Sequence, residues 1–182
     1  MAATVHEQLV KYLTEAHAME EQSVELLDKG AGIAGDEEIA RIYRAHHMQS
    51  QEHKEHILKR LQAHGESPSK VLDVAMKAGA LGVGGVALAA PDTPVKLAAA
   101  AFAYENLEVA SYRVLRSLAE RAGDTETVSV VDRILEQEEA AAELVAGTFD
   151  RALEVTLGEP AVSPLIPVTP IGKPSDRPPE AP

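Results

Sequence analysis

Residues 98–119 read AAAAFAYENLEVASYRVLRSLA, and their spacing decides the fold. Ala98, Ala101, Glu105, Glu108, Tyr112, Leu115 and Ala119 follow one another at alternating steps of three and four. Those steps trace one face of an α-helix. Two glutamates therefore stand in the middle of a stripe that should face an apolar core.

Working outward, the other periodic segments repeat the anomaly. The segment from Thr4 to about Asp28 carries Leu9, Leu13, Ala16, Val24 and Leu27 on one face, with Glu20 among them. The segment from Asp36 to His64-Gly65 has apolar ends, Ile39 and Tyr43 then Ile57 and Leu61, around His46, Gln49, Ser50 and His53. The last, from Asp124 or Thr125 to near Gly158, runs Val131, Leu135, Glu138, Ala142, Val145, Phe149 and Ala152. All four helices are thus expected to be polar at mid-height.

Each start has capping chemistry. Thr4 with Glu7 makes a capping box, Asp36 and Asp124 are N-cap residues, and Thr93-Pro94 places proline where a first helical turn accepts it. Gly30-Ala31-Gly32 and Gly123 are read as the tight turns of two antiparallel hairpins. Between the hairpins, residues 65–92 hold Pro68, a short helical stretch at Lys70 to Lys77 and the glycine-rich AGALGVGGVALAAP. A connection of that length can cross the whole bundle, as in ferritin-like folds. The expectation is an all-α, ferritin-like, up-down-up-down four-helix bundle over residues 1–158 with one long crossover. From Glu159 onward eight of the eleven prolines follow, so residues 159–182 are expected to be a flexible tail.

Composition narrows the chemistry. Aromatic residues are only 3 %, which favours close-packed helices over sheets. The absence of cysteine excludes disulfides and thiolate sites, leaving carboxylate and imidazole as metal ligands. A formal charge of −12 repels phosphate backbones and anionic lipid surfaces, so neither nucleic acid nor membrane is an expected partner. MAATVHEQLV lacks the basic and apolar regions of an export signal, and a soluble, cytoplasmic protein is expected.

Buried carboxylates facing one another repel and lose hydration, and divalent cations are the simplest remedy. Glu20, His53, Glu105, Glu108 and Glu138 are the candidate ligands of two divalent ions, iron or manganese first and zinc beside them. Glu105 or Glu108 is the expected bridge between the ions. Spacing supports the set: Glu20 to His53 and Glu105 to Glu138 are both 33 residues, each across one hairpin, so the hairpins read as structural repeats. His56 is a weaker candidate, three residues after His53. His46 reads as a satisfied core histidine or a support behind the ligands, in company with Gln49. Tyr112 reads as a donor to the site or an ordinary core tyrosine. His17 is similarly open, while His47, Glu52 and Glu55 fit a solvated face.

With those residues placed, the chain resembles the YciE/YciF-type ferritin-like family of bacteria over roughly residues 5 to 150. The matching stretches are LTEAHAMEEQ with Glu20, HHMQSQEH with His46 and His53, ENLEVASYRVLRSLAERAG, and LEQEEAAAEL with Glu138. The resemblance implies a four-helix bundle with a dinuclear metal centre, often dimeric, associated with stress responses. Gln49 and Ala142 depart from the family, which usually has acidic residues there, so the site has fewer anionic ligands than its relatives.

Two functions follow. The first is a non-haem di-metal protein handling oxygen, peroxide or iron. The second is a helical interaction module, metal-free or structurally metallated, whose PLIPVTPIG tail docks a protein partner. A homodimer is expected in either case, from the alanine-rich helix faces.

Overall fold

Asp36 and Asp124 both accept hydrogen bonds from backbone N–H groups just downstream, and Thr4 forms a reciprocal box with Glu7, so three of the helix starts are fixed by their caps. Each such cap contributes about 1 kcal/mol. In a computed structural model, which describes residues 3–68 and 93–160, these caps open α1 (Val5–Ile33), α2 (Glu37–Ala63) and α4 (Thr125–Ala146). The other elements are α3 (Thr93–Ala122) and α5 (Phe149–Leu157). Among the described residues all regular structure is helical, and no helix is long and apolar enough to cross a membrane.

Two apolar clusters lie at opposite ends. One joins Leu9 and Leu13 at the start of α1, Ile57 and Leu61 at the end of α2, Leu115 and Ala119 late in α3, and Val130 and Val131 early in α4. The other joins Leu27 late in α1, Ile39 and Tyr43 early in α2, Ala98 early in α3 and Val145 late in α4. Helices α1 and α4 therefore run one way, and α2 and α3 the other. Strict alternation holds within each hairpin but not between them. The chain leaves α2 at one end and enters α3 at the other, and that reversal makes α2 and α3 parallel. The helical stretch expected at Lys70 to Lys77, most of the crossover, and the tail from residue 161 lie outside the described residues.

Two boundaries differ from expectation. Helix α1 continues past Asp28 through Gly30 and Gly32, and the turn falls at Gly35, whose φ is +72°. Gly30 stays helical at a close contact, since a Cβ there would lie 3.4 Å from the Tyr43 ring. At Gly35 a Cβ would meet Val155 at 3.0 Å and Pro94 at 3.4 Å, so left-handed backbone and crowding both favour glycine. The last helix, expected to run unbroken to Gly158, breaks at Gly147-Thr148. Buried Thr148 donates its hydroxyl to Val145 O at 2.7 Å, and Phe149 meets Phe102 edge-on at 5.6 Å, packing α5 against α3.

Candidate metal centre

Between the two apolar clusters lies a polar layer to which every long helix contributes. Helix α1 supplies Glu20 and Ser23, α2 supplies His46, Gln49, Ser50 and His53, α3 supplies Glu105, Glu108 and Tyr112, and α4 supplies Gln137 and Glu138. Glu20, Glu108 and Glu138 are 0 % exposed, Glu105 and His53 1 %, and His46 3 %. The helical periods that bury Leu13, Ile57, Leu115 and Val131 bury these groups too.

Their donor atoms gather in two groups, each with atoms within 4.8 Å of one another. His46, Glu105, Glu108 and Glu138 form the first, and Glu20, His53 and Glu138 the second. Glu138 belongs to both through different oxygens: Oε1 lies 2.8 Å from His53 Nδ1, and Oε2 lies 3.3 Å from His46 Nε2. His46 Nε2 is also 2.7 Å from Glu105 Oε2, and His53 Nδ1 is 3.5 Å from Glu20 Oε1. Glu138 is the carboxylate common to both groups and faces both histidines, whereas Glu105 and Glu108, the pair from which a bridge was expected, belong to the first group alone.

The far sides of both imidazoles meet glutamine oxygens. His46 Nδ1 is 3.2 Å from Gln49 Oε1, and His53 Nε2 is 2.6 Å from Gln137 Oε1. Tyr112 donates its hydroxyl to Glu20 Oε1, and Ser23 donates to Glu108 Oε2 at 3.4 Å. Tyr112 is therefore joined to the centre, and Gln49 is a support for His46.

Burial pushes the carboxyl groups of Glu20 and Glu108 up, and raises Glu105 to about 7. Burial would do the same to Glu138, but the imidazoles of His46 and His53 beside its two oxygens hold it down at about 2. Burial opposes charge on the imidazoles, yet Glu105 and Glu138 drive His46 up to about 11, and Glu138 and Glu20 drive His53 to about 10. The raised carboxyls and imidazoles share one cause, a buried excess of acidic groups that favours added positive charge.

Glu20 Oε2, Glu108 Oε1, Glu105 Oε2 and Glu138 Oε2 are buried without an aligned hydrogen bond, the last two facing His46 Nε2. Such atoms carry a desolvation cost that a divalent cation would remove, and carboxylate with imidazole is a donor set able to hold one. The residues present fit a metal.

Glu20, His53, Glu105, Glu108 and Glu138 come together in this layer, and His46, expected as a support, stands among the donors themselves. His56 joins neither group; it is half-buried, and burial with Lys59 and Arg133 lowers its pKa. Buried His17 joins neither group either. Gln137 escaped the sequence, because it lies one residue off the α4 stripe and reaches His53 only through the α2–α4 contact. Ser23–Glu108, His53–Glu138 and Met19–Tyr104 are each hydrogen-bonded pairs 85 residues apart. A constant offset across the centre is what a pseudo-twofold axis between two repeated hairpins produces.

The architecture has solved counterparts. Protein YcfI of Rhodopseudomonas palustris is 22 % identical, with 79 % of this chain and 94 % of that one covered and a TM-score of 0.71. A Xanthomonas campestris protein is 25 % identical, over 86 % and 97 %, with a TM-score of 0.70. The E. coli stress protein YciF is 21 % identical, over 87 % and 100 %, with a TM-score of 0.73. Residues 4–156 match the family described as "Domain of unknown function (DUF892)", and with that match covering most of its length, the chain belongs to this family.

Proposed function

We propose that this protein is a di-metal carboxylate protein that handles oxygen, peroxide or iron, in the stress setting that the name of its E. coli neighbour suggests. His46, Glu105, Glu108 and Glu138 would hold one ion, and Glu20, His53 and Glu138 the other. The observation that carries this reading is the convergence of buried carboxylate oxygens that lack aligned donors. Bound iron or manganese supplies one-electron exchange with dioxygen or peroxide.

The chain's own residues do the rest. The apolar clusters above and below keep bulk water from the layer, which strengthens every charge interaction inside it. Gln49 and Gln137 hold the outer nitrogens of the two imidazoles, turning the inner ones toward the carboxylates. Tyr112 fixes one oxygen of Glu20.

Protein purified from iron- and manganese-supplemented cells, beside Glu20→Ala and Glu138→Ala, tests the proposal by elemental analysis. About two metals per chain, reduced by Glu20→Ala and abolished by Glu138→Ala, is the expected result. A metal-free parent would overturn it.

A further inference from the structure

The hairpin repeat is symmetric in backbone but not in donors. Glu20 corresponds to Glu105 and His53 to Glu138 at the 85-residue offset, whereas Glu108 corresponds to Ser23. The second hairpin alone carries three carboxylates into the layer, and the first carries one. His46 then turns Nε2 toward the second hairpin's carboxylates, at 2.7 Å from Glu105 and 3.3 Å from Glu138.

Both groups are partly paired: in the first, His46 Nε2 stands against Glu105 Oε2 and Glu138 Oε2, while Glu108 Oε1 is buried without a partner. In the second group His53 Nδ1 and Glu138 Oε1 are bonded to each other at 2.8 Å, and Tyr112 occupies Glu20 Oε1. Only Glu20 Oε2 stands open there. Glu138 Oε2 would be available to an ion in the first group, in place of its contact with His46, with the Glu138–His53 hydrogen bond left intact, whereas an ion in the second group would have to break that bond.

We infer that the two metal positions are unequal and fill in order, first at His46, Glu105, Glu108 and Glu138, then at Glu20, His53 and the remaining oxygen of Glu138. This rests on the metal reading above and adds a resident ion and an exchangeable one. Ligand charge favours the first position, three carboxylates against two, and ligand charge together with site rigidity tunes divalent-cation affinity over orders of magnitude.

Titrating Mn2+ alone into the metal-free full-length protein, followed by calorimetry and electron paramagnetic resonance, tests the order. Two steps at least about tenfold apart are expected. Isolated-ion spectra should follow the first equivalent, and spin-coupled spectra only the second. Glu108→Gln should weaken the first step about tenfold or more, and Glu20→Gln only the second, with circular dichroism checking that each variant stays helical. Two equal steps, or a first step weakened by Glu20→Gln, would overturn the order while leaving the metal reading standing. No binding by the parent would overturn both.

Discussion

Gln137 Oε1 lies 2.6 Å from His53 Nε2, on the face of the ring turned away from Glu138. An oxygen there accepts the Nε2 proton and leaves Nδ1 to face Glu138 and Glu20. Gln137→Leu is accordingly expected to lower the affinity of the second metal position by about 10- to 100-fold, the usual cost of losing such a partner. Gln137→Glu, which keeps an acceptor, should restore most of it. Equal affinities for Gln137→Leu and the parent in a chelator competition would refute the role.

Metal binding should release protons. His46 and His53 titrate near 11 and 10 and Glu105 near 7, so the metal-free layer is protonated at neutral pH, while an imidazole must be neutral to bind a metal. Apparent affinity should rise from pH 6 to pH 8, and the calorimetric heat should vary with the ionisation enthalpy of the buffer. A buffer-independent heat would count against this.

Stability without metal should fall as pH rises. Glu105 has a raised carboxyl, so its contribution is full below about 4.5 and is lost as pH climbs through 7. The raised histidines contribute fully below about 6.5 and lose that contribution as pH climbs through 10 to 11. The melting temperature of the metal-free protein should therefore drop from pH 6 to pH 9. Metal at a hundredfold excess over Kd should add about 2.7 kcal/mol, or about 5–10 °C for a chain of this size, and flatten that slope.

At the far end of the bundle, Asp124 caps α4 through Thr127 N at 3.0 Å and pairs with Arg60 at 3.0 Å and His64 at 2.8 Å. Burial works against its charge, but bonds from Thr127, His64 and Arg60 hold its carboxyl below the usual range. Its contribution is present above about pH 4 and lost as the pH falls further. Asp124→Ala should cost about 2 kcal/mol at pH 7 and flatten the acid limb of the stability profile, with no change in metal content. Thermal melts from pH 3 to 7 give the answer.

The caps at Thr4, Asp36 and Asp124 made three helix starts readable, because a cap is a local hydrogen bond between neighbours in sequence. Local rules failed where a neighbour from elsewhere intervened. Gly30 stays helical beside the Tyr43 ring, and α4 breaks where Phe149 turns to Phe102.

The sequence by itself determined that Glu20, His53, Glu105, Glu108 and Glu138 would be buried near mid-height, because helical periodicity and equal hairpin spacing are properties of the chain alone. Only the tertiary structure decided that Glu138 is the shared carboxylate, that His46 stands among the donors, that Gln137 holds His53 and that His56 stays outside. Those outcomes depend on the rotation of each helix about its axis and on side-chain direction across the α2–α4 and α2–α3 gaps. Contacts between helices set both, and no spacing along one helix encodes them.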